Sequence, residues 1–168
     1  MDYGMIGKIE KAKLYAQELD RVTFNTLTVE FHGDNSDYTV TLSPEGWDCN
    51  CPGHKQHGVC PHVMALEKLL KPMLKRQPSP YLRTDKPYNH VSDVEKANRY
   101  AQETDRMRLV EMNAGFRGDN GDHNVNLGDG QWDCTCSFFK SRNVCCHTMA
   151  LERMLKDIVL VIPAYESV

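Results

Sequence analysis

The chain has 168 residues, 26% of them charged and 40% hydrophobic, with a formal net charge of −3. That composition is ordinary for a globular protein of one domain or two small ones, and the net acidity argues against a general coat for polyanions. No 18-residue apolar run occurs, and the first residues lack the apolar core of a signal peptide. A membrane role is therefore set aside, and a reducing cytoplasm is expected.

A fixed offset of 85 residues lays 8–70 on 93–155 without a gap, and 29 of the 63 positions are identical. The chain is thus a duplicated unit, and each copy is expected to form one structural module. Ile9, Ala12, Ala16 and Leu19 fall on one face of an opening helix, and Val94, Ala97 and Ala101 repeat that face. A strand follows, in which Leu27, Val29 and Phe31 alternate with polar residues, as do Met112, Ala114 and Phe116. Gly-Asp-Asn at residues 33 and 118 marks a turn; a calcium loop would need a different spacing and a terminal Glu. A second strand carries Val40 and Leu42, or Val125 and Leu127, and a third begins at Trp47 or Trp132. The last helix places His62, Ala65, Leu66, Leu69 and Leu70 on one side, matched by His147, Ala150, Leu151, Met154 and Leu155.

The third strand opens the most informative stretch. Residues 47–62 read WDCNCPGHKQHGVCPH and residues 132–147 read WDCTCSFFKSRNVCCH. Each copy is Cys-x-Cys, eight residues, Cys-x-His: Cys49, Cys51, Cys60 and His62, then Cys134, Cys136, Cys145 and His147. Two cysteines one residue apart cannot readily bridge each other, yet both can face one ion from a tight turn. Three sulfurs and an imidazole form the closed tetrahedral set of structural zinc, so two Zn²⁺ ions are expected. Four protein donors leave no position for water or substrate, which disfavours a catalytic metal, and no other enzyme motif stands out. A disulfide framework is the competing reading, opposed by the odd count of seven cysteines. The seventh, Cys146, lies inside the second Cys-x-His, where the first copy has Pro61.

This pattern resembles the SWIM zinc finger. The resemblance implies an α+β protein of two tandem zinc-stabilised modules, each a helix, an antiparallel hairpin or meander, and a helix in a ββα-like finger. The expected boundaries are 1–71 and 93–168, joined by a Pro-rich linker at 72–92 that holds the units apart. SWIM domains accompany helicase-like ATPases, Mutator-type transposases and signalling proteins, and are regarded as DNA-binding or protein-interaction modules. An iron–sulfur centre of the CDGSH type also uses three cysteines and one histidine. Here, however, only one residue separates the last Cys from the His, and Asp-Gly-Ser is absent.

Residues 46–90 carry 7 basic and 3 acidic side chains, against 4 and 8 over residues 1–45, so positive charge collects at the first finger and the linker. The stretches between the ligand pairs contain no acidic residue. Lys55 in the first, and Lys140 and Arg142 beside Phe138 and Phe139 in the second, are the candidate nucleic-acid contacts. The expectation is a non-catalytic DNA- or RNA-binding or regulatory adaptor. The alternative is a protein-interaction module with no nucleic acid, and neither reading involves a small-molecule substrate.

Overall fold

The alternation around Leu27 extends in both directions and builds one long strand, β1 (Val22–His32), which buries Val22, Phe24, Leu27, Val29 and Phe31 on a single face. It belongs to a computed structural model that describes residues 3–74, 91–156 and 158. Helix α1 (Tyr3–Tyr15) precedes β1. Strands β2 (Asp37–Ser43) and β3 (Gly46–Cys49) follow it, then helices α2 (Pro52–His57) and α3 (Pro61–Leu70). The second repeat runs in the same order: α4 (Val91–Gln102), β4 (Met107–Gly118), β5 (Gly121–Gly128), β6 (Gln131–Cys134), α5 (Ser137–Arg142) and α6 (Cys146–Met154). The protein is mixed helix and antiparallel sheet. Helices α2 and α5 lie where the sequence suggested loops, so each finger has a helix between its hairpin and its long helix.

The repeats do not stand apart. The six strands among the described residues form one antiparallel sheet in the order β3-β2-β1-β4-β5-β6, with β1 paired to β4 at its centre. Val22 lies opposite Phe116 and Phe31 opposite Met107, each pair being the other's equivalent at the 85-residue offset. That is the self-complementary pairing of a two-fold interface, here within one chain. It also removes an edge: alone, either repeat would expose an 11- or 12-residue strand. Expected separation by the linker is therefore corrected; most of that linker, residues 75–90, lies outside the described residues.

The helices exchange partners across this axis. Helix α1 packs on α6 of the other repeat, and α4 packs on α3. Their buried stripes centre on Ala12 and Tyr15, and on Ala97 and Tyr100, while Val94 is 43% exposed and so marks the stripe's edge, not its centre. The chain after each long helix returns to a central strand, with Leu74 bridging Phe24 and Ile158 accepting the Leu109 N–H at 2.9 Å. One continuous core spans both repeats. The opposite face of the sheet is polar: Asn25 donates to Asn113 at 2.8 Å and Asn113 to Asn126 at 2.5 Å. Glu30, Asp48, Glu111 and Asp133 are exposed on the strand positions that face away from this core.

Candidate metal centres

Four donor atoms, from Cys49, Cys51, Cys60 and His62, lie within 4.8 Å of one another, and those of Cys134, Cys136, Cys145 and His147 do the same. All eight residues are buried. The imidazoles face the sulfurs through Nδ1, at 3.8 Å from Cys49 Sγ and 3.7 Å from Cys134 Sγ. Bonds of about 2.3 Å to sulfur and 2.0 Å to nitrogen give a tetrahedron with edges of about 3.5–3.8 Å, so the donors fit one zinc ion per site. All seven cysteines are free thiols, which disposes of the disulfide framework.

The short helices explain how the sulfurs are held. Cys51 and Cys136 are the N-caps of α2 and α5, accepting the N–H of His54 and Phe139, each at 3.4 Å. Cys60 and Cys145 cap α3 and α6 in the same way, accepting from Val63 and Thr148 at 3.4 Å. Two of every three thiolates therefore sit at a helix N-terminus, where unpaired N–H groups favour negative sulfur. The third, Cys49 or Cys134, closes the hairpin. Metal ligation thus clamps the sheet edge to two helices.

In the first site the Cys60 thiol beside Cys49 holds it well below the ordinary thiol range, with burial opposing and His62 assisting. Cys60 is raised by the same contact. In the second site Cys145 is the lowered member, with Cys134 as its main partner, and Cys134 is raised. Burial opposes charge on His147, but hydrogen bonds to Cys145 and Cys146 outweigh it and raise the imidazole to about 10. Zinc takes imidazole in its neutral form, so loading this site at neutral pH expels that proton. Zinc affinity at the second site is expected to fall on acidification, by about tenfold per pH unit for that proton alone. Competition with a chromophoric chelator at mildly acidic and mildly alkaline pH checks this; an affinity indifferent to pH would contradict it.

Behind each ligating imidazole stands a wall drawn from both repeats. His62 rests edge-on against Phe31, with centroids 4.9 Å apart, and stacks on Tyr100 at 5.7 Å and 17°. His147 meets Phe116 at 4.9 Å and stacks on Tyr15 at 6.1 Å and 21°. Tyr100 comes from the second repeat and Tyr15 from the first. Their hydroxyls accept the backbone N–H of Asp34 (3.0 Å) and Asp119 (2.9 Å), fixing the Gly-Asp-Asn turn of the opposite repeat. Asp34 also pairs with Arg106 at 3.1 Å and Lys96 at 3.8 Å, and Asp119 with Arg21 at 3.0 Å and Lys11 at 3.6 Å. These carboxylates are committed to cations across the axis, which leaves no case for calcium.

The glycine of that turn has its own role. A Cβ on Gly118 would lie 2.9 Å from the Gly121 carbonyl oxygen and 3.1 Å from His147 Nε2. Gly118→Ala is expected to cost about 1–3 kcal/mol by overpacking and to loosen zinc at the second site. Zinc retention against a chelator measures it, and wild-type retention would mean that the imidazole is not held from behind.

The remaining sequence candidates fall on the fingers' outer surface. Lys55 lies exposed on α2, and Lys140 and Arg142 exposed on α5. Phe139 is buried beneath α5, whereas Phe138 is half-buried with Lys8 Nζ 5.1 Å and the Arg142 guanidinium 5.3 Å from its ring centroid. His54 occupies the position equivalent to Phe139, is not among the clustered donors, and brings Nε2 to 3.9 Å from Asp48. Trp47 and Trp132 are half-buried and pack against the core. Cys146, at the first turn of α6, is buried beside His147. The sequence reading missed Tyr15, Tyr100, Gly33 and Gly118 as supports of the sites, although all four are identical between the copies.

The family model for the SWIM zinc finger matches the chain twice, at residues 38–71 and 123–156. No curated protein and no solved structure matches the chain. No described helix is long and apolar enough to cross a membrane. Both matched segments run from the second strand through the long helix and contain one complete Cys₃His set. The chain therefore carries two SWIM zinc fingers in tandem, each built around a structural zinc ion.

Proposed function

We propose that the protein is a non-catalytic adaptor that binds nucleic acid through the outer surface of its fingers. The observation that carries this reading is the separation of charge between the two sides of the sheet. Lys8, Lys55 and Lys140 have no acidic partner among the described residues, and all three lie on the helices. Acidic side chains hold the open sheet face, with Glu30 tied to Arg108 at 3.6 Å. A polyanion is attracted to the first side and repelled by the second. The closed, buried donor sets support a structural use of the metal. The same acidic face, with the net charge of −3, favours the second reading, an interaction module for a basic protein with no nucleic acid bound.

Fluorescence anisotropy with single- and double-stranded DNA and RNA at about 50 and 200 mM salt separates the two, because phosphate contacts are lost steeply with salt. Binding at low salt is expected. Lys140→Glu combined with Arg142→Glu should then weaken it by about tenfold or more, since each reversal turns an attraction into a repulsion. Zinc content should stay at two ions. No binding at low salt would favour the protein-interaction reading.

A further inference from the structure

The two fingers are not equivalent on their outer surfaces. A cavity of about 270 Å³ takes in the second metal site: the ligands Cys136, Cys145 and His147 line it together with Lys8, Tyr15, His123 and Phe138. Part of that volume is the zinc ion's own, and the rest opens outward between α1 and α5. Lys8, Lys11 and Tyr15 come from α1, so the first repeat's helix, crossing to the second finger, completes the lining. At the equivalent positions the first finger has Asp93 for Lys8, Gly53 for Phe138, Pro52 for Ser137 and Tyr38 for His123. A cation becomes an anion there, the aromatic is missing, and a larger ring stands against the zinc-binding histidine, with Tyr38 4.8 Å from His62.

Resting on the nucleic-acid reading above, we propose that the second finger and α1 together form the binding subsite, that it takes one unpaired nucleotide, and that the first finger, through Lys55, adds only a general attraction for phosphate. Phe138, half-buried in the cavity lining, supplies a ring for a base; Lys8 Nζ and the Arg142 guanidinium lie over that ring in the free chain, and a stacking base displaces one of them towards its phosphate. Lys8, which has no carboxylate partner among the described residues, reaches the phosphate of that nucleotide. Lys11 stays with Asp119 and neutralises the cavity's one carboxylate, assisted by Arg21. A base within a duplex presents only its edge and cannot enter such a space, whereas an unstacked base offers its face.

The test is anisotropy titration of the full-length zinc-loaded protein with a short labelled oligothymidine and with a duplex of the same length. The single strand should bind more tightly. Phe138→Ala should weaken it by about 5- to 100-fold, the range for loss of one base–aromatic stack; Phe138→Trp should restore it. Lys8→Glu should weaken binding several-fold and Lys55→Glu clearly less than that, with two zinc ions retained in every variant. If nothing binds at low salt, the nucleic-acid reading itself fails. If the oligonucleotide binds but Phe138→Ala and Lys8→Glu leave it intact, or Lys55→Glu weakens it as much, only the subsite is overturned. Tighter binding to duplex would overturn the unpaired-nucleotide assignment.

Discussion

Cys60→Ala is expected to release one zinc ion and to destabilise both repeats together. The apparent free energy of zinc binding to isolated fingers is about 10–16 kcal/mol, as large as the whole stability of a typical domain, about 5–15 kcal/mol. Cys60 also caps α3, and α3 supports α4 of the other repeat. Its loss therefore passes to the second half through helix packing and through the β1–β4 seam. Hydrogen exchange should report faster exchange in β4–β6 as well as in β1–β3. Protection that persists unchanged in β4–β6 would show that the two halves fold independently.

Tyr100→Ala should weaken zinc binding in the first finger more than in the second, although Tyr100 belongs to the second repeat. The side chain is fully buried, stacks on His62, and accepts the Asp34 N–H. Truncating a buried aromatic costs about 3–5 kcal/mol, and here the cavity would open directly behind a metal ligand. Thiol alkylation under mild chelation, mapped by mass spectrometry, reads the effect: Cys49, Cys51 and Cys60 should label ahead of Cys134, Cys136 and Cys145. Tyr15→Ala should reverse that order. Tyr100→Phe keeps the stack and loses only one hydrogen bond, about 0.5–1.5 kcal/mol, so its labelling should stay close to wild type. Labelling of the mutated repeat's own finger first would refute the crossed arrangement.

What the sequence disclosed was local. Ligand spacing and the order of helix, strands and helix are properties of short windows, the 85-residue offset is their repetition along the chain, and each has its counterpart in the structure. The crossed packing is not local. Period-two alternation at Leu27, Val29 and Phe31 says that one face is buried, but cannot name the strand beside it. A signal was present all the same: a long apolar strand at the edge of a small module is an aggregation hazard that calls for a partner. Helices α2 and α5 have only six residues, too few for any periodicity, and their caps are cysteines, which helix-start rules do not include. Asp34 and Asp119 read as turn residues because turns favour Asp, and nothing nearby in sequence reveals the cations that reach them from the other repeat. Identity between copies at Tyr15 and Tyr100 hinted at a shared duty without saying that each serves the other copy's metal.

The most direct measurement is native mass spectrometry of the purified protein combined with zinc-edge X-ray absorption. The account predicts two zinc ions per chain, each with three sulfur ligands and one nitrogen. A chain that folds with fewer than two ions, or that carries iron, or whose zinc has oxygen in its coordination shell, would contradict it.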